Sequence, residues 1–308
     1  MKYFLSLILV ATLCLTGCHR KSNNSELAAN TFVFVDDYGR TVEVPNEVHK
    51  VVSISPAVTE IMFELGAGEM LVGRTDFCNY PAEVENIESI GGISNLNVEK
   101  VISLKPDLVI SGSMVPQKSV EQLEKMGIPM VCIIEKEKFE GLYDNVARIG
   151  KVIGRQEKAD AMVRELRSKV SSIDTLGKYD YGMGEPIPRP TVYYVVGFGK
   201  AGNYTAGGNT FINDIIRLAG GQNIAENISG WNFSVEALMN SNPNYIMIRQ
   251  EDVEEFCNTA PYKNLMAVRL HKIIPIESGL IDVQVPRNVE AVQIISDIIH
   301  PDIEIKRY

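Results

Sequence analysis

Gly197, Gly199 and Gly202 satisfy the pattern Gly-x-Gly-x-x-Gly directly after the apolar run 191–196. In a dinucleotide-binding unit such glycines make a tight turn that seats a pyrophosphate on the N-terminus of the helix they open. Here Asn203-Tyr204-Thr205-Ala206-Gly207-Gly208-Asn209 follows, which cannot start a helix, and the first cap-like pair is Asn209-Thr210. The glycines therefore read as a loop passing close to a ligand. Cys78 is the least dismissible nucleophile, yet no partner base is evident. His19, His49, His271 and His300 are scattered singly, with no His-Glu-x-x-His and no Cys-x-x-Cys, so no metal site is expected. Gly-x-Ser-x-Gly and a Walker loop are also missing. An α/β enzyme is the weaker class; a binding protein is the stronger.

Two further groups are suited to recognition. Asn97-Val98-Glu99-Lys100-Val101-Ile102, then Pro106 and Leu108-Val109-Ile110, is matched at the same offsets by Ser234-Val235-Glu236-Ala237-Leu238-Met239, Pro243 and Tyr245-Ile246-Met247. Glu99 and Glu236 are thus twin acids, each in the first turn of a helix, where a carboxylate favours the helix dipole. Placed once on each half, they are also able to engage two copies of a basic partner. The second group is aromatic: Phe77 and Tyr80 in one irregular stretch, Tyr204 and Trp231 in others. If the strand ends bearing these loops face each other, the rings form an apolar wall with polar tips, suited to a large flat ligand.

The elements that must position them follow from periodicity. Before residue 138, strands at 50–55, 71–74, 108–110 and 130–134 alternate with helices opened by Pro56, Asn97 and Gln117, after a hairpin over 32–44. After residue 190 the alternation resumes, with strands at 191–196, 245–248 and 273–276 and helices at 210–218, 234–241 and 287–299. Such alternation predicts mainly parallel sheets covered on both faces. Between the two halves, Leu142, Val146, Ile149 and Ile153 form one apolar helical stripe, and Ala159, Met162, Val163, Leu166, Val170 and Ile173 another. Gly150 and Gly154 weaken the junction between them. The stretch 139–176 reads as a strut between two Rossmann-like lobes, 32–138 and 177–308, joined by one long helix.

Charge and termini narrow the setting. A net charge of −9 and a pI near 5.1 argue against a nucleic-acid surface. Lys2 precedes an apolar run over 3–15 of signal-peptide length. Leu15-Thr16-Gly17-Cys18 closes it and resembles a bacterial lipoprotein box, which makes Cys18 the expected acylated residue. Residues 1–18 are then a leader and 19–31 a Ser/Asn/Ala-rich tether. Cys78, Cys132 and Cys257 remain; one pair among them is open, a disulfide framework is not.

Four stretches carry a family resemblance: Val51-Val52-Ser53-Ile54-Ser55-Pro56-Ala57-Val58-Thr59-Glu60, Leu104-Lys105-Pro106-Asp107-Leu108-Val109-Ile110, Gly220-Gly221-Gln222-Asn223-Ile224 and Pro286-Arg287. Over about 33–302 the chain resembles the periplasmic binding proteins that feed ABC importers for cobalamin, haem and ferric siderophores, in which a rigid helix joins two α/β lobes. Asp76-Phe77-Cys78-Asn79-Tyr80-Pro81 before Gly91-Gly92 is most similar to the cobalamin-binding branch. The resemblance implies that Phe77, Tyr204 and Trp231 line a corrinoid site, with Tyr80 beside them, and that Glu99 and Glu236 dock onto a permease served by an ATPase. It implies a monomer outside the cytoplasm, held to the membrane by its lipid alone, with cobalamin as cargo and no cofactor. Haem, for which Tyr80 or Tyr204 is an axial candidate, and an anionic siderophore, for which Arg74 and Arg249 are available, are the rival cargoes. Ile93 and Gly112 stand where well-known cobalamin binders carry more rings. Trp231 is one residue nearer Glu236 than in that pattern, and no polar contacts are recognisable over 279–283.

Overall fold

The computed structural model describes residues 30–112, 115–174 and 189–301. The leader, Cys18 and nearly all of the tether lie outside them. No helix among the described residues is long and apolar enough to cross a membrane.

The chain opens with an antiparallel hairpin, β1 (Thr31–Val35) and β2 (Thr41–Pro45). Its turn is built by Asp36, whose carboxylate accepts the Tyr38 and Arg40 backbone N–H groups at 3.0 and 2.9 Å. Two four-stranded, wholly parallel sheets follow. The first has the order β4-β3-β5-β6, from β3 (Val51–Ile54), β4 (Leu71–Arg74), β5 (Leu108–Ser111) and β6 (Met130–Cys132). The second has the order β10-β9-β7-β8, from β7 (Thr191–Val195), β8 (Gln222–Asn223), β9 (Tyr245–Arg249) and β10 (Ile273–Ile276). Each sheet places its second strand at one edge, then its first, third and fourth. The two lobes share one topology.

The internal repeat extends further than residue identity. In α2 (Val98–Ser103) the Asn97 side chain caps the Lys100 N–H; in α7 (Val235–Ser241) the Ser234 side chain caps Ala237. Each unit then passes through a left-handed residue at the matching position, Lys105 (φ 49°) and Asn242 (φ 41°). After the shared proline, Asp107 accepts the His49 and Lys50 N–H groups at the start of β3, and Asn244 accepts Thr191 at the start of β7. Asn97→Ala and Ser234→Ala are each expected to cost about 1 kcal/mol in urea titrations. The sites share no partner, so the double variant should lose the sum.

The interlobe stretch is a helical hairpin of α4 (Phe139–Val152) and α5 (Gln156–Asp174). Gly154 (φ 69°) makes the turn, and a Cβ on Gly150 would meet Ala159 at 2.3 Å, so the glycine lets the two helices close. α4 begins against the second lobe. Phe139 stacks on Phe211 at 5.3 Å, and its N–H donates to Asp214 Oδ2 at 2.9 Å. It ends in the first lobe, where Arg148 pairs with Asp37 and lies over the Phe34 ring. α5, 19 residues long, returns as the long helix between lobes and packs on α6 (Phe211–Leu218) and α10 (Asn288–Ile299). At 1.5 Å per residue it spans about 28 Å. One apolar cluster runs through both lobes by way of Val146, Ile149, Leu166, Val170 and Ile295, while Ile90, Val101 and Leu123 fill the outer face of the first sheet and Tyr193, Phe256 and Tyr262 that of the second.

Element edges differ from the sequence pattern by a residue or two. β6 stops at Cys132, because Ile134 turns away to bond Asp37. Thr210 caps α6 from outside it, and Arg287 precedes α10. The short helices α8 (Val253–Asn258) and α9 (Met266–Arg269) carry too few apolar repeats to be read in advance.

Candidate ligand cleft and docking faces

In open parallel sheets, ligands sit at the carboxyl ends of the strands. Beyond β7 the chain doubles back, forming bridges from Gly197 to Tyr204 and from Tyr204 to Asn232, and the Thr205 N–H donates to the Trp231 carbonyl at 2.8 Å. Tyr204 and Trp231 are thereby brought together on neighbouring extended segments. The glycine motif now has its explanation: a Cβ on Gly197 or Gly202 would approach the Tyr204 ring to 3.0 or 2.7 Å. Gly202 also sits at φ 103°, in the region that favours glycine. The loop makes a bed for a ring of its own chain, and the next α-helix opens only at Phe211.

The second lobe also holds a polar cluster that the sequence did not reveal. Tyr194 Oη donates to Asp282 Oδ1 at 3.4 Å, and Arg249 Nη2 donates to Asp282 Oδ2 at 3.3 Å. Burial raises the Asp282 pKa, with Arg249 pulling it back in part. Tyr194 reads as core in an apolar strand, and Asp282 falls within 279–283, where no polar contact was recognisable. Spacing gives no sign that the two meet.

On the first lobe, Phe77 and Tyr80 are 60% and 42% exposed, whereas Cys78 between them is 2% exposed. Cys78 Sγ lies 3.2 Å from Thr59 Oγ1 and 3.3 Å from Thr75 Oγ1. It is an anchor among hydroxyls with no base beside it, which removes the argument for a nucleophile. Cys78, Cys132 and Cys257 are all free thiols. The Asp76 N–H donates to Gly91 O at 3.0 Å and fixes the ring-bearing loop to Gly91-Gly92. Tyr80 stacks on the Arg287 guanidinium, 4.0 Å from the ring centre, so this loop touches the opposite lobe. Arg287 in turn donates to Glu60 in α1 (Pro56–Glu64) at 2.6 and 3.2 Å.

The structure thus assembles the rings as two pairs, one per lobe, and no described ring contact joins Phe77 or Tyr80 to Tyr204 or Trp231. A groove of about 620 Å³ lies elsewhere, between α5 and α10, floored by Met162, Leu166, Ile173, Val289 and Ile294. None of the four rings lines it. Glu99 and Glu236 are exposed, and among the described residues neither enters an ion pair.

Comparison with known proteins agrees with this architecture. The model of the periplasmic binding protein family matches residues 51–279. The uncharacterized ABC transporter substrate-binding lipoprotein YvrC of Bacillus subtilis is 30% identical over 315 residues, covering 96% of this chain and 96% of YvrC. The cobalamin-binding protein of Halobacterium salinarum is 29% identical over 279 residues, covering 86% of this chain and 73% of that protein. Among solved structures, a periplasmic heme-binding protein from Pseudomonas aeruginosa superposes with a TM-score of 0.71 at 24% identity, over 83% of this chain and 94% of its own. The family is one of solute binding and not of catalysis, in line with the expectation drawn from the missing catalytic motifs. With two parallel-sheet lobes, a helical connection and a family match over most of its length, this chain belongs to the periplasmic binding proteins.

Proposed function

We propose that the protein is the extracytoplasmic receptor of an ABC importer, that it captures a corrinoid between its lobes, and that it passes the cargo unchanged to a permease driven by an ATPase. One observation supports the choice of cargo: each lobe offers a pair of exposed rings, and the arginines available to an anionic cargo already donate to protein acceptors, with the buried Arg249 Nε lacking one. Arg249 is answered by Asp282 and Arg287 by Glu60, and Arg74 donates to the Val84 and Thr75 carbonyls. Exposed rings beside committed arginines suit a large, amide-rich, overall neutral ligand. A ferric siderophore with several anionic oxygens asks for uncommitted arginines. Haem asks for an axial ligand, but the Tyr204 ring is packed on glycine backbone and the Tyr80 ring on Arg287. The cobalamin-binding relative supports the same reading.

Phe77, Tyr80, Tyr204 and Trp231 are the proposed ligand contacts, Glu99 and Glu236 the permease contacts, and Cys18 the lipid-bearing residue. Two acyl chains at Cys18 suffice for stable attachment, whereas one does not. The decisive test is calorimetric titration of the purified soluble chain with cyanocobalamin, haemin and a ferric catecholate. Cyanocobalamin is expected to bind with a Kd at or below micromolar, and the other two more weakly. Silence with cyanocobalamin and a clear isotherm with either rival would overturn the assignment.

A further inference from the structure

The chain leaves the first sheet at Cys132 and enters α4 at Phe139, so residues 133–138 form the crossing between the lobes. This short segment is pinned on both sides of one residue. The Ile134 N–H donates to Asp37 Oδ2 at 2.7 Å, and the Ile134 carbonyl accepts from Asn145 Nδ2 at 3.0 Å. The Lys136 N–H donates to Gln284 Oε1 at 3.1 Å, and the Lys136 carbonyl accepts from Gln284 Nε2 at 2.8 Å. Gln284 follows β10 in the second lobe and is 1% exposed. Its amide staples the crossing to the far lobe as a strand neighbour would.

Glu135 is the residue between those pins, and its side chain is exposed. It is nevertheless flanked by protein densely enough that desolvation raises its pKa, a Gln284 backbone N–H offsetting this in part. Glu135 stands between the bonds to Asp37 and Asn145 on one side and to Gln284 on the other, so it faces solvent where the two lobes meet. Neighbouring charges leave it unanswered: Lys136 pairs with Asp144, Arg148 with Asp37, and Arg249 with Asp282. Glu137 and Lys138 complete the charged groups of the segment. A fixed, partly desolvated carboxylate with one backbone donor has room for more donors.

Resting on the reading of the cleft as the ligand site, we infer that Glu135 is a recognition group in it, where the lobes meet. It takes a hydrogen-bond donor of the cargo, such as a primary amide N–H or a protonated amine, and rejects cargo that presents carboxylates or catecholate oxygens there. Corrin side chains ending in amides meet the first condition. Haem propionates and a ferric catecholate meet the second.

The test compares the wild-type chain with Glu135→Gln, which keeps the shape and removes the charge. Matching thermal melts establish that the variant folds. At pH 7.5, Glu135→Gln is expected to weaken cyanocobalamin binding about tenfold, in the range of a hydrogen bond to a charged group. Between pH 7.5 and 5, wild-type affinity should fall as the carboxyl group takes up its proton, starting at a higher pH than for an ordinary glutamate, while the variant stays flat. Equal affinity and equal pH slopes would overturn the assignment. If the wild type binds no cyanocobalamin, the corrinoid proposal falls and haemin decides the role of Glu135 by itself. Haemin bound several-fold tighter by Glu135→Gln upholds anion rejection; haemin bound equally by both chains rejects it.

Discussion

Arg287→Ala should destabilise the protein by about 3–5 kcal/mol, the range found when one partner of a buried ion pair is removed. The Arg287 and Glu60 side chains are 11% and 3% exposed, and the guanidinium meets both carboxylate oxygens. Burial nevertheless raises the Glu60 pKa, outweighing the pull of Arg287. A carboxyl group with a raised folded-state pKa contributes its full stability below the unfolded value, near 4.3, and loses it as pH rises through the folded value. Burial lowers the Arg287 pKa, but Glu60 in turn raises it, so the pair keeps two buried charges tolerable. Without Arg287 the Glu60 pKa climbs further, so the loss should be largest at pH 7–8 and shrink toward pH 5. Glu60→Gln, which leaves a neutral acceptor for Arg287, should cost clearly less. Urea titrations of the two variants at pH 5 and 7.5 decide the matter, and an Arg287→Ala loss under 1 kcal/mol at pH 7.5 would refute the argument. The same guanidinium supports the Tyr80 ring, so the variant should also loosen the first lobe's ring pair.

That junction shows where sequence reading stops. The two-lobe alternation, the capped repeat and the break at Gly150 and Gly154 are local patterns and could be read directly. Glu60 stands in a nine-residue helix whose neighbours Ile61 and Met62 are core, and a glutamate there gives no hint that it is buried. Its partner is 227 residues away. Asp282 and Tyr194 are separated by 88 residues, and Gln284 and Lys136 by 148. Polar pairs of this kind have no period, since each joins distant segments, across the lobes for Glu60–Arg287 and Lys136–Gln284 and within the second lobe for Tyr194–Asp282. The glycine motif fails for the opposite reason. Its local pattern is complete, but the ring of Tyr204, which follows it, occupies the space that a phosphate takes elsewhere.

Reversing both twin acids, Glu99→Lys with Glu236→Lys, should abolish uptake while leaving ligand affinity unchanged. Both acids stand in the first turn of a helix capped by the preceding side chain, and both helices lead through a left-handed residue and a proline into the third strand of their sheet. The same local frame thus holds one uncommitted carboxylate on each lobe, at equivalent points of a shared topology. The structural benefit of each is small. A first-turn acid contributes about 0.3–1 kcal/mol to its helix, so even double reversal leaves a folded receptor. Docking is another matter, because losing one partner of an interfacial charge pair costs about 2–5 kcal/mol, and reversal adds repulsion. One reversal should leave partial transport through the other lobe, and two should bring it below detection. Transport into proteoliposomes bearing the cognate permease and ATPase, set beside calorimetry on the same variants, separates the possibilities. Normal transport by the double variant would remove the acids from docking. A matching loss of ligand affinity would move them to the cleft, a place their exposure on α2 and α7 does not favour.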